Sequence, residues 1–291
     1  MRNLPAGNLS YPLLENRIHA WVSSRPDIYG ACAVGSRARS DPPPDEWSDL
    51  DLILFTSALP RLSAGSSWFR QFGEVWLAQL FSEGPHPEWQ VIYAGGLKVD
   101  FLLVPVTPAA KTRPALQDLL AGFPDRQVLA RGVRPLGDLH PIAFTAQPPA
   151  PPPSPDEFKT LITQSLFLFY RIEKLARRGE LWQAQHQLSC DLRPRLLTLL
   201  EWHSRLSNSL PPDTWYHGRR IDAWASPRFL PVLPALFPAY QAVDVHRALL
   251  AALDLFTALC GEIARHLHVP IIETTSPILD WIRLAPAAGG S

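Results

Sequence analysis

The chain has 291 residues, and its 27 lysines and arginines balance 27 aspartates and glutamates, so the formal net charge is zero. Hydrophobic residues make up 46% and charged residues 19% of the sequence, as in a globular protein with one large or two modest domains. This balance excludes nucleic-acid binding through overall positive charge and argues against a polybasic membrane anchor. Three scattered cysteines exclude a disulfide framework and favour a reducing compartment.

No segment of the sequence has the pattern of a membrane span or a secretory signal. The first residues lack an apolar core, and the most apolar stretch, 248–260, contains Asp254 and is too short to cross a bilayer. We therefore expect a cytoplasmic protein that binds neither membranes nor nucleic acid. The sequence does not indicate an oligomeric state.

The first half of the chain alternates helical and strand patterns. Apolar residues at helical spacing predict a helix over 9–24. Short apolar runs between Gly, Pro, Ser and Asp residues predict strands at 28–34, 50–55, 75–80, 90–93 and 98–105. Gly95 and Gly96 predict a hairpin turn between the last two strands. A mixed sheet with flanking helices is therefore expected over residues 1–146.

A proline-rich run, Gln-Pro-Pro-Ala-Pro-Pro-Pro-Ser-Pro, occupies residues 147–155. Such a run favours polyproline II and acts as a stiff spacer, so it is expected to link two domains.

Helical patterns dominate the sequence after this linker. Ser154 and Glu157 form a capping-box pattern, with Pro155 in the first helical position. Further helical patterns cover 180–206, with a restart near Asp191, and 242–268. The sequence thus predicts an all-α helical bundle domain at 156–270 and a flexible tail at 271–291. The fold class as a whole is expected to be α+β.

Candidate phosphate- and metal-binding residues lie in the first half. Gly35-Ser36 ends an apolar strand and starts a predicted helix, a place where backbone N–H groups and a hydroxyl can hold a phosphate. Asp49 and Asp51 alternate with apolar residues, so both carboxylates project from the same face of a strand. Such carboxylates repel each other unless a cation lies between them, and Mg²⁺ is the expected ion.

Asp100 is a third carboxylate, inside the otherwise apolar strand at 98–105. A lone aspartate in such a strand is costly unless its charge is satisfied. On a strand beside Asp49 and Asp51, it would complete a cluster able to hold a metal-bound triphosphate.

Gly35-Ser36, Asp49-x-Asp51 and a later Asp100 on a strand resemble the polymerase β-like nucleotidyltransferase superfamily. The surrounding sequence is similar to the aminoglycoside 6-adenylyltransferase (streptomycin adenylyltransferase) family, in the family's order over most of residues 10–268. The further segments that carry this similarity are 45–51, 68–74, 95–105, 167–175, 178–184 and 196–202.

The resemblance implies an N-terminal nucleotidyltransferase domain and a helical domain that closes over nucleotide and acceptor. The implied reaction is Mg²⁺-dependent transfer of AMP from ATP to a hydroxyl of a small acceptor, a cationic aminosugar antibiotic such as streptomycin. Two Mg²⁺ ions would be held by Asp49, Asp51 and Asp100. Gly35 and Ser36 would contact the triphosphate.

The resemblance also suggests further nucleotide contacts and a catalytic base. Arg37 and Ser48 are candidates for additional phosphate contacts. In the helical half, Lys174 and Arg178 lie one turn apart on one helix face and could neutralise the triphosphate, with Tyr170 one turn earlier. Asp100 is the first choice for the third carboxylate, either as a metal ligand or as the base. Glu74, which opens the strand at 75–80, is the competing base, and both stay open.

Two other functions stay open at this point. One is a nucleotidyltransferase with a non-antibiotic acceptor, such as a protein or a metabolite. The other is a non-catalytic nucleotide-binding relative, although a binding module has no reason to keep a costly carboxylate cluster.

Overall fold

Strands and helices alternate in the first half of the chain, and helices follow in the second. The computed structural model describes residues 9–39, 43–84, 86–106, 134–136, 151–209, 212, 214, 217–270 and 277–284. The chain divides into two units, Met1–Pro148 and Pro149–Ser291. Within the predicted linker, residues 147–150 lie outside the described residues, and 151–154 have no regular secondary structure.

The first unit contains a sheet and short helices. In chain order, the elements among its described residues are α1 (Tyr11–Ser23), β1 (Ile28–Val34), a 3₁₀ turn (Gly35–Ala38), β2 (Leu50–Thr56), α2 (Leu59–Ala64), α3 (Ser67–Arg70), β3 (Val75–Phe81), β4 (Glu88–Tyr93), β5 (Leu97–Pro105) and β6 (Arg134–Leu136). The five strands predicted from the sequence are therefore confirmed.

The described strands form one mixed sheet in the order β3-β4-β5-β2-β1-β6. β2 and β5 run parallel at its centre, and every other neighbouring pair is antiparallel. β4 and β5 form the predicted hairpin, with Gly95 at φ +87° and Gly96 at φ +76° in its turn. Glycine adopts this left-handed conformation without a steric penalty.

One face of the sheet is apolar and is covered by the helices. Alternate residues of β2 and β5, such as Leu52 and Phe101, point into this core. Trp68 and Phe72 pack on Phe101, and Trp21 packs on Trp68 and Phe72. Side chains alternate between the two faces of a strand. The residues between these core positions, including the candidate carboxylates, therefore lie on the opposite face.

The described residues of the second unit form helices and no strand. They are α4 (Pro155–Arg177), α5 (Leu181–Gln187), a π-helical segment (Leu188–Leu192), α6 (Arg193–Ser207), α7 (Ile221–Trp224), a 3₁₀ segment (Leu230–Leu236), α8 (Ala242–Leu267) and α9 (Pro277–Arg283). The Ser154–Glu157 capping box is confirmed. Near Asp191, where a restart was predicted, the chain instead passes through the π-helical segment without leaving the helix. None of the helices in the described ranges is long and apolar enough to cross a membrane.

The prediction of a flexible tail at 271–291 is wrong for part of that range. Pro277–Arg283 form α9, which packs on α4 and α8. Leu279 and Ile282 are buried in the core of the second unit, because their spacing of three residues places both on one helix face. Residues 271–276 and 285–291 of the predicted tail lie outside the described residues.

Replacing Leu279 with Ala is expected to destabilise the second unit by about 2–5 kcal/mol, because it leaves a cavity in a packed core. Leu284→Ala is the matched control, since Leu284 is 82% exposed and its loss should change stability by less than about 0.5 kcal/mol. Urea unfolding followed by circular dichroism measures both. Equal stabilities of the two variants would contradict the packing of α9.

Candidate functional site

The parallel pairing of β2 and β5 brings the candidate carboxylates together. Asp51 and Asp100 are register partners, so their side chains leave the same face of the sheet from strands about 4.8 Å apart. Asp49 lies one residue before β2 and two residues before Asp51, close to the other two carboxylates. All three carboxylates act on one another electrostatically. The structure therefore brings the three candidate carboxylates close enough to interact.

Burial and mutual repulsion disfavour the ionised form of this cluster. Burial, followed by the charges of Asp100 and Asp49, raises the pKa of Asp51 to about 6. Burial likewise raises the pKa of Asp100, although its hydrogen bond to Lys98 acts in the opposite direction. Glu88 on β4 adds a further negative charge that raises both pKa values. Negative charge is thus concentrated at these carboxylates, and nearby positive charge compensates it only in part.

Lys98 provides positive charge beside the carboxylates. This residue was not identified from the sequence. Its Nζ lies 2.7 Å from Oδ2 of Asp100 and 3.5 Å from Oδ2 of Asp49. Burial alone would lower the pKa of Lys98, but the hydrogen bond to Asp100 and the surrounding carboxylates outweigh it and raise that pKa. The signal was available, because residues two apart on a strand share a face and Lys98 precedes Asp100 by two.

Gly35 lies against the carboxylate of Asp51. The residue has φ +68°, and a Cβ atom there would lie 2.4 Å from Oδ2 of Asp51. Both the backbone conformation and the close approach therefore favour glycine. The helix predicted to start here is a single 3₁₀ turn, since the chain becomes extended at Arg39 and the prolines at 42–44 cannot continue a helix.

Of the other predicted phosphate contacts, Ser36 lies in this turn, whereas Arg37 and Ser48 support the loop before β2. The hydroxyl of Ser36 is buried and lies 3.5 Å from a guanidinium nitrogen of Arg39. Nε of Arg37 donates to the carbonyl of Ser48 at 2.8 Å. The Ser48 hydroxyl donates to Oδ1 of Asp45 at 2.7 Å. These bonds fix the segment that leads to Asp49.

Tyr11 on α1 connects this loop to the start of β5. The Arg37 guanidinium lies 3.4 Å from the centroid of the Tyr11 ring, in cation–π geometry. The Tyr11 hydroxyl accepts a hydrogen bond from the backbone N–H of Lys98 at 3.2 Å and faces the Lys98 carbonyl at 3.4 Å. Nothing in the local sequence marks Tyr11, because its role arises from contacts 26 and 87 residues away.

The structure does not bring Glu74 to the carboxylates. Glu74 is exposed and precedes β3, where Val75 pairs with Tyr93. Asp100 pairs with Gln90, three residues before Tyr93 in β4. At about 3.3 Å per residue, Glu74 therefore lies roughly 13 Å from Asp100 along the strands, and it is also displaced by two strands across the sheet.

The predicted cationic contacts belong to the second unit. Lys174 and Arg178 lie near the C-terminal end of α4. Nζ of Lys174 lies 5.2 Å from the ring centroid of Tyr170, and Arg178 pairs with Glu180. The rings of Tyr170 and Trp281 pack at a tilted angle, with their centroids 5.4 Å apart.

The donor set of the cluster suits a hard divalent cation. Its donors are carboxylate oxygens, which Mg²⁺ prefers. One ammonium offsets one of the three carboxylate charges, and Oδ1 of Asp100 is buried without a hydrogen-bond partner among the described residues. No three acidic, histidine or cysteine side chains in that part of the chain already form a metal-binding group. The fit to Mg²⁺ therefore rests on the chemistry and charge of these donors.

Comparison with protein families matches residues 13–282 to the streptomycin adenylyltransferase family. The chain belongs to this family. Membership makes it a nucleotidyltransferase enzyme and confirms the resemblance found in the sequence. No curated protein sequence matches the chain.

Solved structures show a more distant similarity. An aminoglycoside 6-adenyltransferase from Bacillus subtilis is 14% identical, with a TM-score of 0.45 over 94% of this chain and 98% of that one. A nucleotidyltransferase-like protein from Exiguobacterium sibiricum is 15% identical, with a TM-score of 0.29 over 87% and 77%. A CCA-adding enzyme in complex with CTP is 10% identical, with a TM-score of 0.36 over 94% and 71%.

Gly35→Ala is expected to damage the site beyond the ordinary cost of a left-handed residue, because its methyl group would displace the Asp51 carboxylate. Gly96→Ala is the matched control, with a similar positive φ and open space around its Cβ position, and it should cost roughly 1–2 kcal/mol of stability. Urea unfolding and Mn²⁺ binding by calorimetry test both variants. Unchanged metal affinity in Gly35→Ala would contradict the close approach to Asp51.

Proposed function

We propose that this enzyme transfers AMP from ATP to a hydroxyl of an aminoglycoside antibiotic in a Mg²⁺-dependent reaction. The observation that carries the proposal is the half-buried, incompletely neutralised group of Asp49, Asp51 and Asp100 beside the Gly35 turn. It lies in a chain that belongs to the streptomycin adenylyltransferase family. A cluster of this kind is what metal-assisted transfer of a nucleotidyl group requires.

Asp49 and Asp51 would hold Mg²⁺, with Asp100 at the edge of the same group. When bound, the ion supplies positive charge to the triphosphate and to the leaving pyrophosphate. Gly35 lets the backbone approach Asp51, and Ser36 in the same turn would provide a polar contact to a phosphate.

Asp100 would accept the proton of the attacking hydroxyl. One carboxylate oxygen is held by Lys98, while Oδ1 has no hydrogen-bond partner among the described residues. Burial raises the pKa of Asp100, which makes its carboxylate a better proton acceptor near neutral pH. Because Glu74 lies far along the sheet, we assign the base to Asp100 rather than to Glu74.

Cations outside the cluster would neutralise the rest of the triphosphate. Lys174 and Arg178 on α4 remain our candidates, since their long side chains lie on one face of that helix. Arg37 is instead assigned to holding the loop before Asp49, because its guanidinium already binds Tyr11 and the Ser48 carbonyl.

The acceptor and the cellular location complete the proposal. The family is named for streptomycin adenylyltransferase, so a cationic aminoglycoside is the proposed acceptor. The proposed location is the cytoplasm, because three scattered cysteines, Cys32, Cys190 and Cys260, favour a reducing compartment.

Pyrophosphate release from ATP and Mg²⁺, with streptomycin and a panel of other aminoglycosides, tests the reaction. We expect release that depends on the aminoglycoside. It should be abolished in Asp49→Asn with Asp51→Asn, because the metal would lose its ligands. Asp100→Asn should reduce kcat by at least about 100-fold while Mg·ATP binding measured by calorimetry persists, since only the base is removed.

Glu83→Gln serves as the control, because Glu83 is an exposed carboxylate in the same unit and should have wild-type activity. Release that survives the double aspartate change would contradict the metal site. Mg·ATP binding without stimulation by any aminoglycoside would overturn the acceptor and direct the search to proteins or other metabolites.

A further inference from the structure

The ammonium of Lys98 occupies the position at which a cation is needed between Asp49 and Asp100. Its two contacts are unequal, at 2.7 Å to Asp100 and 3.5 Å to Asp49. The shorter one is a charge-assisted hydrogen bond, whereas the longer one is an ion pair beyond the usual N–H···O range. The Asp49 side chain is 43% exposed and that of Asp100 only 17%, so the weaker contact is also the more hydrated one.

The backbone of Lys98 is anchored, and its side chain is the part that can move. The Tyr11 hydroxyl bonds to the Lys98 N–H and faces its carbonyl, and Lys98 pairs with Ile92 within the sheet. A lysine ammonium is a compact charge on a flexible four-carbon stem. It can therefore release one carboxylate and keep another without any change in the strand.

A divalent cation and the ammonium compete for the same carboxylate. An ion bound to Asp49 would lie close to Nζ of Lys98, and two positive charges at such a distance repel each other strongly in a half-buried site. The 3.5 Å contact to Asp49 is the one that can break at the lower cost. The 2.7 Å bond to Asp100 can remain.

We propose that Lys98 is the resident cation of the metal-free site, which holds the carboxylates together, competes with the divalent metal for Asp49 and remains bound to Asp100 after the metal enters. Lys98 is then a positioning residue for Asp100, and it sets the metal affinity of the site. The inference rests on the proposed metal-dependent function.

Mn²⁺ titration of the metal-stripped full-length protein, followed by calorimetry with and without a non-hydrolysable ATP analogue, tests the inference. Lys98→Met should bind Mn²⁺ about tenfold more tightly than wild type. A tenfold change corresponds to a charge interaction with the ligands worth about one pKa unit, which this substitution removes. Lys98→Arg keeps the charge and should not bind Mn²⁺ more tightly than wild type. The metal-free Lys98→Met protein should melt at a lower temperature than wild type, and Mn²⁺ should reverse the difference.

A merely structural lysine would leave the Mn²⁺ affinity unchanged or weaken it on removal, and either result for Lys98→Met would overturn the inference. If Lys98→Met fails to fold, Lys98→Gln is measured instead, because it keeps a hydrogen-bond donor for Asp100 without the charge. The same increase in affinity is then expected.

The outcome can be separated from that of the proposed function. Metal-dependent AMP transfer by wild type, together with equal Mn²⁺ affinities in wild type and Lys98→Met, overturns the role of Lys98 alone. If wild type binds no Mn²⁺ even with the nucleotide analogue, both proposals fail.

Discussion

The in-register parallel pairing of β2 and β5 is the constraint on which the rest of the site depends. It sets Asp51 directly beside Asp100 on one face of the sheet, where neither carboxylate can be neutralised by the other. Two neighbouring residues reduce the cost of this repulsion. Lys98 supplies a positive charge, and Gly35 leaves space for the Asp51 carboxylate.

The opposite face of the sheet makes such a costly arrangement tolerable. Leu52 and Phe101 alternate with the two aspartates and are fully buried against Trp68 and the helices. Burial of side chains of this size contributes about 1.5–3 kcal/mol each, which offsets unfavourable charge interactions on the other face. The same strands therefore stabilise the fold on one side and carry the candidate carboxylates on the other.

Features encoded locally could be predicted from the sequence, and features that depend on the order of strands could not. The strands, the Gly95–Gly96 turn, the Ser154 capping box and the proximity of Asp49 to Asp51 all follow from residues a few positions apart. The contacts of Tyr11 arise only when α1 meets β5, 87 residues away along the chain. Glu74 is a plausible base on its local sequence alone, but the sheet order places two strands, β4 and β5, between β3 and β2. Similarly, local sequence does not predict α9, because its burial depends on packing against α4 and α8.

Anomalous diffraction from crystals grown with Mn²⁺ and a non-hydrolysable ATP analogue most directly tests whether the carboxylate group is a metal–nucleotide site. We expect a Mn²⁺ peak bound to oxygens of both Asp49 and Asp51, with the triphosphate at the turn that begins at Gly35. A nucleotide bound elsewhere, or a carboxylate group that remains without Mn²⁺ at saturating concentration, would contradict this assignment.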